Sequence, residues 1–106
     1  MTPIDQLLIW RDRFASEHVH TAFVKLFLDG VAPSLTASFL EPYLPVPGCT
    51  PLAYNPDALL AIAPKKLAEI VTELDSLGLT VKMHAVGDRA ARAGLDAVQV
   101  VRKSNG

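Results

Sequence analysis

The pentapeptide His84-Ala85-Val86-Gly87-Asp88 follows the short apolar run Thr80-Val81-Lys82-Met83. A histidine at the end of a buried strand, before a glycine turn and a new helix, stands where parallel α/β sheets carry their ligand-binding groups. Its neutral ring nitrogen binds a divalent metal; the plainer alternative is a buried histidine hydrogen-bonded to a backbone carbonyl. A second position of the same kind is Lys25, inside Phe23-Val24-Lys25-Leu26-Phe27-Leu28-Asp29-Gly30. A lysine in an otherwise apolar strand needs a partner or a task. As a neutral amine it is a nucleophile, and it reacts with carbon dioxide to give a carbamate able to bridge two metals. Its plainer alternative is a stem that carries the ammonium out to solvent. Asp29 and Asp88 stand next to these two positions and are candidates to orient a ligand. Asp29-Gly30 also reads as a strand-ending turn, and Asp88 as a helix cap. His18-Val19-His20 has the spacing of a strand-borne ligand pair. It precedes the Lys25 strand, however, and so belongs at the opposite end of the sheet.

The elements that must position these residues follow from the pattern. Thr2-Pro3 reads as an N-cap with a first-turn proline, and Ile4, Leu7, Leu8, Trp10 and Phe14 give a helix over 3–16. Residues 20–28 are rich in β-branched and aromatic types and read as a strand. Their near-continuous apolar character fits a parallel sheet covered on both faces. Residues 31–56 hold Pro33, Pro42, Pro45, Pro47, Pro51 and Pro56, six of the eight prolines. This reads as a long loop with one helical turn around 36–40, lying over a site mouth. Asn55-Pro56-Asp57 starts a short helix through Ile62, which Pro64 kinks or restarts. Leu67, Ile70, Val71, Leu74 and Leu77 give an amphipathic helix over 64–77 that Gly78 stops. Residues 80–84 form the second strand. A last helix follows Asp88, with Ala91, Leu95, Val98 and Val101 as its apolar stripe.

Composition narrows the classes. The chain has 106 residues, a formal charge of −1 and 50% hydrophobic residues, rich for so small a domain. No basic stripe with interleaved aromatics speaks for nucleic acid. No run approaches the ~20 apolar residues of a membrane span, and the amino-terminal residues do not read as a secretory signal. Cys49 is the sole cysteine, so no internal disulfide or zinc ribbon forms. A cytoplasmic protein, binding neither nucleic acid nor membrane, is the expectation. A flavodoxin-like domain fits less well, since neither strand leads into a glycine-rich phosphate loop.

The strings VKLFLDGV and VKMHAVGDRAARAGLDAV, with the Tyr-Leu-Pro run and the helix ending LDSLGL between them, resemble the family-3 branch of the amidohydrolase superfamily over about residues 20–106. The resemblance implies an α/β fold: part of a (β/α)8 TIM-type barrel, with about two parallel strands and flanking helices. Residues 1–106 would be one segment of a catalytic barrel, incomplete at both ends. It implies hydrolysis of amide or cyclic amide C–N bonds in a small-molecule substrate by a metal-bound hydroxide, with one or two divalent ions, often zinc. Lys25 matches the lysine that is carboxylated to bridge metals, and His84 a histidine ligand. The family's His-x-His pair, a later histidine and a proton-handling aspartate have no counterparts here. The isolated chain is therefore expected to be inactive. The alternative is a non-catalytic remnant that self-associates or completes a barrel with a partner chain through its uncovered sheet faces.

Overall fold

The computed structural model describes residues 1–45, 47–48 and 54–106. Cys49 and Pro51 lie outside the described residues. The elements run α1 (Pro3–Phe14), β1 (Phe23–Phe27), a 3₁₀ turn (Ala32–Ser34), a second 3₁₀ turn (Pro56–Leu59), α2 (Pro64–Ser76), β2 (Thr80–His84) and α3 (Asp88–Asn105). The two strands pair in parallel, with Phe23 opposite Thr80, Lys25 opposite Lys82 and Phe27 opposite His84. The ladder continues one step further: the Leu28 N–H donates to the His84 carbonyl at 2.9 Å, and the Leu28 carbonyl accepts from Ala61 at 2.8 Å.

One layer of helices covers one face of this sheet. Leu28, Leu67, Val71, Ala90, Ala93, Ala97 and Val101 form the core, with Leu26, Val81 and Met83 packed against it. The side chains of Val24 and Leu26, and of Val81 and Met83, alternate with the exposed Phe23, Lys25 and Phe27, and Thr80 and Lys82. The expected cover on both faces is thus present on one. Phe23 and Phe27 stand 63% and 58% exposed. The apolar run of β1 reflects Val24 and Leu26 on the covered face and Phe23 and Phe27 on the open one, where Lys25 stands between them.

The helices start and stop close to where the sequence places them. In α1 a capping box closes the N-terminus: Thr2 Oγ1 accepts from the Asp5 amide at 3.1 Å, and Asp5 Oδ2 from the Thr2 amide at 3.0 Å. Pro64 opens α2 at its first turn rather than kinking a longer helix. Gly78, at φ 76°, takes the left-handed conformation just past its end. The short helix expected through Ile62 is a 3₁₀ turn that stops at Leu59. The turn expected around 36–40 lies earlier, at Ala32–Ser34.

The α3 stripe differs from the expected one. Ala90, Ala93, Gly94, Ala97 and Val101 are buried, whereas Ala91, Leu95 and Val98 are exposed. Small side chains let α3 sit close to the sheet, where Gly94 faces Leu28 and Met83. None of the residues of α1 is buried. The helix is tied on by Arg11, whose guanidinium donates to the Leu77 carbonyl at 3.0 Å, and by Thr21, whose hydroxyl donates to the Arg11 carbonyl at 2.6 Å. Among the described residues no helix is long and apolar enough to cross a membrane.

Candidate functional site

Because side chains alternate along a strand, Lys25, Lys82, Phe27 and His84 share the sheet face that the helices leave open. Lys25 and Lys82 are direct cross-strand neighbours, as are Phe27 and His84 one pair further toward the C-terminal end. The Phe27 and His84 rings lie 5.2 Å apart, and Lys25 Nζ stands 5.1 Å from the Phe27 ring centre. The two residues singled out by type therefore sit one diagonal step apart on one surface. Lys82 shares that face and was not singled out. Its type, the same as that of Lys25, and its spacing of two from His84 were the available signals.

His84 is partly buried, and its Nε2 lies 2.8 Å from the Gly30 carbonyl oxygen. That oxygen only accepts, so Nε2 carries the proton of this hydrogen bond; in the neutral ring Nδ1 then holds a lone pair, with no hydrogen-bond partner among the described residues. The carbonyl partner was the plainer expectation for this histidine; it also leaves the second nitrogen available to a ligand.

Asp29 is the buried centre of this end of the sheet. Its side chain is fully covered, and its carboxylate accepts from the backbone amides of Ser38 at 2.9 Å, Val86 at 3.0 Å and Gly87 at 2.8 Å. The loop after β1 and the turn after β2 are held together through this one group. Ser38, itself buried, donates its hydroxyl to the Pro56 carbonyl at 2.6 Å. Its carbonyl accepts from Arg89 and Ala90 at 3.1 and 3.3 Å, the free amides of the first turn of α3.

Asp88 does not cap α3. Gly87 is the N-cap and offers no side chain, and the Ser38 carbonyl takes over that role. Asp88 Oδ1 instead accepts from the Leu40 amide at 2.7 Å, while Arg89 Nε pairs with Asp57 Oδ1 at 2.7 Å. The described part of the proline-rich loop is thus fastened over the N-terminus of α3. His18 and His20 are exposed and precede the N-terminal end of β1, at the far end of the sheet from His84.

A catalytic zinc takes three protein ligands and water. Among the described residues no group of three His, Cys, Asp or Glu side chains is placed to hold a metal ion. Of the two residues expected as ligands, His84 carries an imidazole on the open sheet face, and Lys25 would bind a cation only after conversion to a carbamate. The described residues alone therefore form no complete metal centre.

A sequence model described as the amidohydrolase family matches residues 6–106. The chain belongs to the amidohydrolase family. The match reaches further upstream than the motif strings and takes in most of α1. The chain is also similar to the protein LONG AFTER FAR-RED 3 of Arabidopsis thaliana, 35% identical over 91 residues. That stretch covers 86% of this chain and 14% of the relative, so the chain spans a small part of the length of the curated relative it matches. No solved structure shows a match.

Proposed function

We propose that this chain contributes two strands to the catalytic barrel of a metal-dependent hydrolase of C–N bonds, with Lys25 and His84 on the wall of its active site. The observation that carries the reading is their placement: a potential carbamate and an imidazole with a free nitrogen share the open face of a parallel sheet. Family membership supports a hydrolase and a small-molecule substrate. A divalent metal, zinc being the ion to which the resemblance points, would supply a bound water of lowered pKa. Lys25 and His84 would hold it together with ligands from the rest of the barrel. In the chain itself, Gly30 orients His84, and Asp29 and Asp88 fix the loops around it.

The test is zinc content and turnover of the purified chain, wild type against His84→Ala, on a panel of amides and cyclic amides. The expected result is no turnover by the chain alone, with zinc binding that falls when His84 is removed. Zinc held equally by both proteins, or turnover that survives His84→Ala, would take His84 out of the site.

A second reading, favoured by the uncovered aromatic face of β1 and the exposed Leu95 and Val98 of α3, is a non-catalytic module. Those faces would be buried against a second copy or a partner chain.

A further inference from the structure

The Asp29 carboxylate has contacts that a turn residue does not need. It accepts three backbone N–H groups from two segments far apart in sequence, residue 38 on one side and residues 86 and 87 on the other. Those segments leave no room for adjustment around it. A Cβ at Gly87 would run into the Ser38 backbone, and one at Gly30 into the Thr36 side chain. Gly30, fixed in this way, places its carbonyl on His84 Nε2. Asp29 Oδ1 lies a further 3.9 Å from the same nitrogen. That is too long for a hydrogen bond and short enough for its charge to act on the ring, since the carboxylate is fully buried.

We propose that Asp29 is a positioning residue: by locking Gly30 onto the ring and placing a carboxylate beside Nε2, it holds the His84 proton on Nε2 and presents Nδ1 as the free acceptor on the open sheet face. The two contributions act in the same direction. The carbonyl accepts the proton, and the buried anion favours the tautomer whose N–H dipole points toward it. A group fixed on one ring nitrogen is how proteins set which nitrogen a ligand meets. This deepens the proposed function and rests on its placement of His84 in the site, but its test needs neither metal nor substrate.

The test is nitrogen-15 NMR of the His84 ring in the full chain, at a pH where the ring is neutral, for wild type and Asp29→Asn. The near-isosteric amide keeps one carbonyl oxygen for the Ser38 and Gly87 amides and removes the charge. The wild type is expected in the Nε2–H form. In Asp29→Asn the two ring-nitrogen resonances are expected to move toward each other as the Nδ1–H form becomes populated, while the Ser38 and Gly87 amides stay protected from exchange. A wild-type ring in the Nδ1–H form overturns the proposal, and so does a folded Asp29→Asn with unchanged ring shifts. Should Asp29→Asn fail to fold, the wild type decides through two readouts. The ring must be in the Nε2–H form, and couplings across the hydrogen bonds must link the amides of Ser38, Val86 and Gly87 to the Asp29 carboxyl carbon. Absence of either overturns the proposal. Zinc binding that is absent from the wild type, or unchanged by His84→Ala, would count against the function proposed above and leave this result standing.

Discussion

At the scale of single residues, the open sheet face combines aromatic and cationic groups in a way that costs the isolated chain stability. Lys25 and Lys82 are directly opposed, and like charges at that spacing oppose strand pairing by roughly 0.2–1 kcal/mol. Replacing Lys82 with Thr, which is also a better strand former, is expected to raise the urea midpoint. Added salt should shrink the charge part of the gain, because both side chains are exposed. A lower midpoint would mean that Lys82 makes contacts outweighing the repulsion. His84 and Lys25 stand out in sequence because histidine and lysine are uncommon in strands of this composition, and the parallel register puts them on one face. Lys82 carries the same signal as Lys25, and its parity with His84 puts both on one face. The register that sets it against Lys25 depends on the long β1–α2–β2 connection, which no local pattern encodes.

At the scale of elements, glycines separate tight from tolerant contacts. A Cβ at Gly87 meets backbone atoms of Ser38, which cannot move without releasing the Asp29 carboxylate and the first turn of α3. Gly87→Ala is therefore expected to destabilise by at least about 2 kcal/mol. At Gly94 the added methyl meets the tips of Leu28 and Met83 at 3.3 Å. Both are flexible side chains, and alanine is worth up to about 1 kcal/mol over glycine in a helix. Gly94→Ala is thus expected to stay within about 1 kcal/mol of wild type in the same denaturation experiment. The two results together test whether the loop clamp or the helix packing is the tighter fit. A third prediction concerns α1. The Thr2 amide and hydroxyl hold the Asp5 carboxyl below its usual 3.8. A carboxyl lowered on folding stabilises the helix above its unfolded value, and that contribution fades as pH falls through the folded one. Thr2→Ala removes the hydroxyl and leaves the amide, so it should move the Asp5 titration, followed by its carboxyl carbon shift, only part of the way back toward 3.8 and shrink, without abolishing, the acid-dependent step in N-terminal helicity. The caps and the α2 stripe could be read locally because they depend on neighbours three and four residues away. The α3 stripe could not. Hydrophobicity ranks Leu95 and Val98 above Ala90, Ala93 and Ala97, but the space beside the sheet admits only the smaller side chains. The Ser38 cap of α3 was hidden for a similar reason, since it comes from a carbonyl far away in the chain.

At the scale of the whole molecule, the chain is extended for its size. Its accessible surface is 7416 Å², against roughly 5,800 Å² for a folded monomer of this mass. Its radius of gyration is 16.9 Å, against about 13 Å for a compact domain of this length. The excess follows from the elements: α1 buries no residue, the sheet is covered on one face, and α3 turns Leu95 to solvent at 70% exposure. Surfaces of this kind associate, because burying one large apolar side chain contributes about 1.5–3 kcal/mol. In sedimentation at increasing concentration the chain is expected to form dimers or larger species. Leu95→Gln, distant from the Asp29 cluster, and Phe23→Thr, at the N-terminal end of β1, should each weaken association by about tenfold or more if their face is the one buried. A response to Phe23→Thr alone would place the partner on the open sheet, over Lys25 and His84, where it could bring further ligands to the same surface. A response to Leu95→Gln alone would leave that surface free and put the contact on the outer helix layer, as when neighbouring helices of a barrel pack side by side. A chain that stays monomeric throughout and still unfolds cooperatively would show that one covered face suffices to hold β1 and β2 in register, and would remove the case for a self-associating module.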